Sequence, residues 1–166
     1  MGDSAVTIIA IFLAAILMFV FPLMTMADKS DDVAQLSAQN ATTEFANKIR
    51  TTGYISQGDY DSFILTLAST GNSYEAEITV QKLDQNPAKK NSGDTTTIGQ
   101  NVYYTMYTTQ VLEQLPLSLN EGDIISVNVK NTNTTIAGQL RNKVTGNSTG
   151  NIVAQEAGIV TKTTSN

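Results

Sequence analysis

The sequence AVTIIAIFLAAILMFVFPLMTMA, from Ala5 to Ala27, and the polar sequence DKSDDVAQLSAQNATTEFANKIR, from Asp28 to Arg50, together decide the fold. The first sequence has 23 residues and no charged side chain. At ~1.5 Å per residue a helix of that length covers about 34 Å, which spans a bilayer core of about 30 Å. Pro22 should kink this helix near its outer end. We therefore predict that residues 1–27 form a transmembrane anchor.

A secretory signal peptide is the alternative interpretation of the same segment, with a cut after Ala27 in the sequence Thr25-Met26-Ala27. Two features disfavour it: no Lys or Arg precedes the apolar run, and the run exceeds the ~7–15 residues usual in signal peptides. Flanking charges do not orient the helix, because Lys29 stands alone among three aspartates. The Thr-rich body indicates export. Both interpretations stay open, and the residues favour the uncleaved anchor.

The polar sequence carries a narrow apolar stripe at intervals of three to five residues, formed by Val33, Leu36, Ala41, Phe45 and Ile49. This spacing predicts an amphipathic helix over residues 28–50 whose stripe packs on a folded domain. Gly53 is the predicted end of the helix. No strong helix breaker separates the two sequences, so we predict one long helix, in lipid in its first half and on the domain in its second.

Three carboxylates, Asp28, Asp31 and Asp32, stand directly after the apolar run. Such a cluster can hold a cation, but at a membrane exit it is more often a solvated collar. We therefore predict no metal site and no cofactor.

Patterns in the rest of the sequence predict short helices and short strands. Ser56 and Asp59 form a capping box for a helix over Asp59–Ala68. A two-residue apolar period predicts strands over residues 74–83, 101–110, 123–130 and 152–161. Turn-forming residues predict a loop over residues 84–100. A short helix over residues 132–144 carries Ile136, Leu140 and Val144 on one side.

This order of elements predicts an α+β fold, in which a long N-terminal helix packs on a small antiparallel β-sheet. Residues 28–166 form one extracytoplasmic domain in this interpretation, of the size expected for a single core.

Composition excludes several functions. The chain has no His, Cys or Trp, which removes thiol chemistry, zinc hydrolysis and the usual general base of hydrolase triads. A net charge of −5 repels phosphate backbones, so nucleic acid is not an expected partner. No Gly-rich phosphate loop and no carboxylate pair in a catalytic spacing occur. We predict that the protein is not an enzyme.

The strand predicted over residues 101–110 carries tyrosines on both faces. Tyr103, Tyr104 and Tyr107 could contact a sugar or a partner protein, although tyrosines stacked across a sheet are the commoner arrangement. They are the candidate partner surface if the domain is released as a secreted binding module or adhesin.

An apolar helix containing Pro22, an amphipathic continuation and a small sheet together resemble the type IV pilin-like superfamily. The sequences GDSAVTIIAIFLAAILMFVFPLMTMADKSDDVAQL, from Gly2, and NEGDIISVNVKNTNTTIAGQL, from Asn120, more specifically resemble a pilin-like accessory protein of tight-adherence (Flp-type) pilus and secretion systems in Gram-positive bacteria.

This resemblance implies a single-pass protein of the cell membrane that passes into, or accompanies, a cell-surface filament. Its partners would be the membrane, other pilus or secretion-system subunits, or further copies of itself. Small residues Ala10, Ala14 and Ala15 would let apolar helices approach closely. The sequence departs from the pilin pattern, because no basic leader and no Glu flank the start of the apolar run. Asp3 is the only nearby acid, and it could pair with a neighbouring amine if a peptidase cut after Gly2.

Overall fold

The computed structural model describes residues 2–84, 102–146 and 151–162. The helices are α1 (Gly2–Thr52), α2 (Gln57–Ala68), α3 (Thr108–Glu113) and α4 (Ile136–Thr145). The strands are β1 (Tyr54–Ile55), β2 (Tyr74–Leu83), β3 (Tyr103–Met106), β4 (Leu117–Ser118), β5 (Ile124–Asn131) and β6 (Val153–Ile159). The predicted α+β class is confirmed, since the long N-terminal helix packs on a small antiparallel sheet.

The apolar and amphipathic halves form one continuous helix, α1, which passes through Pro22. It ends at Gly53, which has φ +63 and donates its N–H to the carbonyl of Ile49 at 2.8 Å. A Cβ on Gly53 would lie 3.0 Å from the carbonyl oxygen of Leu119. Both the left-handed backbone and the lack of space therefore require glycine at this predicted end of the helix.

One face of the second half of α1 is buried in the domain and consists mainly of alanine: Ala34, Ala38, Ala41, Thr42, Phe45, Ala46 and Ile49. The predicted burial of Ala41, Phe45 and Ile49 is confirmed. The prediction is wrong for Val33 and Leu36, which are 64% and 58% exposed. Small side chains let the helix backbone approach the sheet closely, so the alanine face packs and these two larger residues lie on the other side.

The main sheet has the strand order β3-β2-β5-β6, and every neighbouring pair is antiparallel. Val80 pairs with Ile125 and Ile78 with Val127, all four fully buried. Polar residues such as Glu77 alternate with them along β2. The predicted strands over residues 74–83, 123–130 and 152–161 are confirmed within two residues at each end. The short ladder between β1 and β4 was not predicted.

The strand predicted over residues 101–110 is confirmed only for Tyr103–Met106, because α3 starts at Thr108. The Thr108 hydroxyl accepts the N–H of Ile78 at 2.9 Å and donates to its carbonyl at 3.3 Å. The side chain thus occupies the groups that a longer strand would pair with. The N–H of Tyr107 donates to the Gln110 side chain at 3.0 Å and starts the helix. The loop predicted over residues 84–100 lies outside the described residues from 85 onward.

The capping box of α2 is confirmed. Ser56 Oγ accepts the N–H of Asp59 at 3.1 Å, and the Asp59 carboxylate receives the Ser56 N–H at 3.4 Å. Lys48 Nζ on α1 also donates to Asp59 Oδ1, at 2.5 Å. These hydrogen bonds, from the Lys48 ammonium first and from Ser56 second, lower the pKa of Asp59 below its ordinary value. The capping residue therefore also joins α2 to α1.

A buried carboxylate holds three elements at the far end of the sheet. Asp123 accepts the N–H of Leu83 at 2.9 Å and the N–H of Asn120 at 2.8 Å, and its carbonyl accepts the N–H of Val160 at 2.8 Å. The end of β2, the turn before β5 and the end of β6 thus share one residue. Every charged or polar atom of this side chain is used in folding.

We expect Phe45→Ala to lower the free energy of unfolding by about 3–5 kcal/mol. Phe45 is buried and stacks on Phe63, with ring centroids 4.4 Å apart. Leu36→Ala is the matched control: it truncates an exposed residue of the same helix and should change stability by less than about 0.5 kcal/mol. Chemical denaturation of the detergent-solubilised full chain measures both. If Leu36→Ala lowered the free energy of unfolding more than Phe45→Ala does, the assignment of the buried face of α1 would be contradicted.

We expect Asp59→Asn to destabilise the domain by about 1 kcal/mol at neutral pH, by weakening both the cap and the contact with Lys48. Because folding lowers the pKa of Asp59, its stabilising effect is complete above the unfolded pKa of about 3.9 and is lost as the pH falls through the lower, folded value. Denaturation series at neutral and acidic pH should show the difference from wild type shrinking in acid. Asp61→Asn, an exposed change on the same helix, serves as the control.

Candidate assembly and membrane surface

The first half of α1 contacts no other part of the domain over most of its length. Its large apolar side chains are exposed: Val6, Ile8, Ile9, Ile11, Phe12, Leu13, Ile16, Leu17, Met18, Phe19, Phe21, Leu23 and Met26. In the described residues, α1 is the one helix long and apolar enough to cross a membrane, and its most apolar 18-residue window has no buried residue. An apolar surface of this extent marks a contact with lipid or with other proteins.

The residues that the sequence suggested for assembly lie along this exposed rod. Ala10, Ala14, Ala15 and Pro22 are all exposed, and the two residues Ala10 and Ala14 are one turn apart on the same side of the helix. Asp3 is exposed in the first turn, and its carbonyl accepts the Thr7 hydroxyl at 2.7 Å. The single chain does not bring Asp3 near a partner amine, so the proposed pairing stays a prediction about neighbouring subunits.

Two of the three aspartates after the apolar run hold α4 against α1. Asp28 Oδ1 lies 2.5 Å from Arg141 Nη2, and Asp31 Oδ2 accepts the Thr135 hydroxyl at 2.6 Å. We name these two contacts the boundary clasp. Asp32 is exposed beside it. The predicted solvated collar is therefore wrong for Asp28 and Asp31, which contact α4. The described residues contain no group of three His, Cys, Asp or Glu that could hold a metal ion.

Sequence reasoning missed the boundary clasp because its halves are far apart in the chain, 113 residues for Asp28 and Arg141. One signal was present: Thr135 precedes the helix, in the position where a hydroxyl caps the backbone. Its Oγ accepts the N–H of Gly138 at 3.1 Å. This cap explains why α4 starts at Ile136 and not at residue 132.

Side chains of α1 also close the open edge of β6. The Gln35 side-chain amide donates to the Val153 carbonyl at 2.7 Å and accepts the Val153 N–H at 3.1 Å. At the other end of the strand, Arg50 Nε donates to the Ile159 carbonyl at 3.3 Å. A Cβ at Gly158 would lie 2.4 Å from Arg50 Nε, so this glycine leaves space for the guanidinium group. These hydrogen bonds occupy backbone groups at both ends of the edge strand, where they hinder unwanted strand pairing.

The three tyrosines do not form one surface. Tyr103 and Tyr104 are neighbours on β3 and therefore point to opposite faces of the sheet. Tyr103 is half-buried and its hydroxyl donates to the Gly122 carbonyl at 3.4 Å, while Tyr107 lies beyond the strand at the start of α3 and is 65% exposed. The single strand predicted through all three tyrosines is wrong, because β3 ends at Met106 and α3 follows; their role as a contact surface stays a prediction.

Two of the three aspartates at the end of the apolar run have structural partners. Asp28, Asp31 and Asp32 line a cleft of about 200 Å³, but the boundary clasp engages the first two. Within residues 2–84, 102–146 and 151–162, no buried side-chain nitrogen or oxygen lacks a hydrogen-bond partner. The polar groups in the described core therefore serve the fold.

Comparison of the chain with protein-family models, with curated proteins and with solved structures finds no match.

We expect Thr135→Ala to lower stability by about 1–2 kcal/mol, because it removes the α4 cap and the hydrogen bond to Asp31 together. Thr135→Ser keeps the hydroxyl and should retain most of the wild-type stability. Amide hydrogen exchange read by mass spectrometry should show faster exchange in α4 for the alanine variant alone. Equal exchange in the two variants would contradict the role of the hydroxyl.

Proposed function

We propose that this chain is a membrane-anchored, pilin-like structural or accessory subunit of a type IV or tight-adherence pilus or secretion apparatus. It acts by helix packing and not by catalysis. The observation that carries the proposal is the unbroken helix α1, which is apolar and exposed on every side from Ala5 to Phe19 and is buried on one face only in its second half.

The exposed first half supports insertion in a bilayer. A helix that is apolar on every side has no stable place in water, and the folded domain does not cover it. Neighbouring helices of the same kind can replace lipid around it, because both surroundings keep the side chains from water at about 25 cal/mol per Å². The small side chains of Ala10 and Ala14 then permit close helix contacts.

The free face of α1 supports contacts between proteins beyond the membrane. Val33 and Leu36 are exposed on the side of the helix opposite the alanine face. They follow the apolar run, and Leu36 lies about 14 Å along the axis from Ala27. An apolar strip at this position can continue a helix–helix contact from the membrane into the aqueous region.

The alternative, a secreted binding module released after Ala27, has less support. The backbone at Ala27 is inside α1, Ala27 itself is buried, and the following Asp28 is held by Arg141. A protease acting on the folded protein therefore finds no flexible segment at this bond. The tyrosines offered as the contact surface of such a module are also separated. These features favour retention of the anchor.

Cysteine crosslinking in intact cells tests the proposal, because the chain has no cysteine of its own. We expect Leu36→Cys to form adducts with a second copy or with another envelope component, since its exposed side chain lies on the proposed contact face. Leu65→Cys is the matched control, an equally apolar residue that is 70% exposed on α2. The mass of the mature protein, measured in the same cells, shows whether the anchor is retained.

Adducts at Leu36→Cys but not at Leu65→Cys, on a protein that retains residues before Asp28, support a subunit that assembles through α1. A mature protein that begins at Asp28 and is found in the medium contradicts the proposal and supports the secreted module. Equal labelling at both positions would mean that the free face of α1 is not a specific contact.

A further inference from the structure

Helix α4 carries an apolar stripe that the domain leaves uncovered. Ile136 and Val144 are 72% and 60% exposed, and Leu140, which lies between them at the same helical spacing, is half-buried. The buried residues of α4 are small, Ala137 and Gly138 in its first turn. The larger apolar side chains therefore lie on a flank that has no partner within the described chain.

The boundary clasp places this stripe at the end of the apolar run. Arg141 contacts Asp28, which is the first residue after Ala27, and the cap residue Thr135 contacts Asp31. α4 thus runs antiparallel to α1 at this point. The C-terminal end of α4, at Val144, is directed toward the membrane segment and not away from it.

The burial pattern of α1 agrees with this direction. On the side of α1 that carries Asp28 and Asp31, Ala27 is buried and Met24, one turn earlier, is half-buried. Val20, a further turn earlier, is also half-buried, and the other side chains of the apolar run are exposed. The domain thus covers one side of the last turns of the apolar run, which ends at Ala27.

Exposed charges of both signs lie near this end, as in a zwitterionic headgroup region: Asp32 is exposed together with Lys29 and Lys143. Lys143 stands beside Val144 and is exposed, and Lys29 is exposed on α1 close to Asp28. A lysine next to an apolar side chain at a membrane surface can bury its stem and place its ammonium group among phosphates. Helices with an apolar flank and basic residues beside it lie in the headgroup and acyl-chain boundary.

We propose that the Ile136–Leu140–Val144 stripe of α4 contacts the headgroup boundary of the same bilayer that α1 crosses, with Val144 deepest and Ile136 shallowest. The inference rests on the membrane anchoring proposed above and adds a second lipid contact. Two contacts, one through α1 and one through α4, determine the tilt of the domain on the membrane, which a single helix would leave free.

Tryptophan quenching tests this inference, because the chain has no tryptophan. The full chain, carrying one introduced tryptophan, is reconstituted in vesicles of phosphatidylglycerol and phosphatidylcholine whose acyl chains are brominated close to the headgroup. We expect strong loss of emission for Val144→Trp, a smaller loss for Ile136→Trp and none for Leu65→Trp. Leu65 is the control because it is 70% exposed on α2, whose Phe63 stacks on Phe45, far along α1 from Ala27.

Phe12→Trp, in the middle of the apolar run, separates the two proposals. Quenching at Phe12→Trp without quenching at Val144→Trp overturns the role of α4 and leaves the anchor in place. No quenching at Phe12→Trp overturns the membrane anchoring itself. Equal quenching at Leu65→Trp and Val144→Trp also overturns the inference, since the domain would then touch lipid without a preferred side. Shielding of Val144→Trp from iodide without quenching by bromolipid would assign the stripe to a protein partner instead.

Discussion

The contact between the alanine face of α1 and the sheet is the constraint on which the rest of the structure depends. Ala34, Ala38 and Ala46 have no side chain beyond Cβ, so the helix backbone lies close to the strands. Phe45 and Ile49 then fill the space toward α2 and the short ladder. A helix that approaches this closely is also near enough for Gln35 and Arg50 to reach the backbone of β6.

Because its second half packs on the sheet, α1 joins its apolar first half rigidly to the domain. No loop separates them, because α1 runs through Ala27 without a break, and the boundary clasp adds α4 beside the joint. A displacement of the apolar first half of α1 is therefore transmitted directly to the sheet. The orientation of the domain relative to the apolar first half of α1 is therefore a property of the fold.

The candidate surfaces were predicted unevenly, for identifiable reasons. The apolar run is recognisable from Ala5–Ala27 because twenty-three consecutive uncharged residues are enough evidence by themselves. The roles of Val33 and Leu36 were assigned wrongly, since a helical period shows that a stripe exists but favours large residues over alanine as its centre. The strand predicted to carry the three tyrosines was too long, because the Thr108 hydroxyl occupies the backbone groups of Ile78 that a longer strand would pair with. The boundary clasp had no local signal at Asp28 or Arg141.

Local patterns in the sequence therefore determined the long helix, its end at Gly53, the capping box at Ser56 and most of the strands, because each depends on residues within a few positions of one another. Tertiary structure alone decided the strand order, the face of α1 that packs, and the pairing of aspartates with α4. These three features depend on contacts between segments that are distant in the sequence, such as the contact of Asp31 with Thr135. The free energy of such a contact exists only when the whole chain has folded around it.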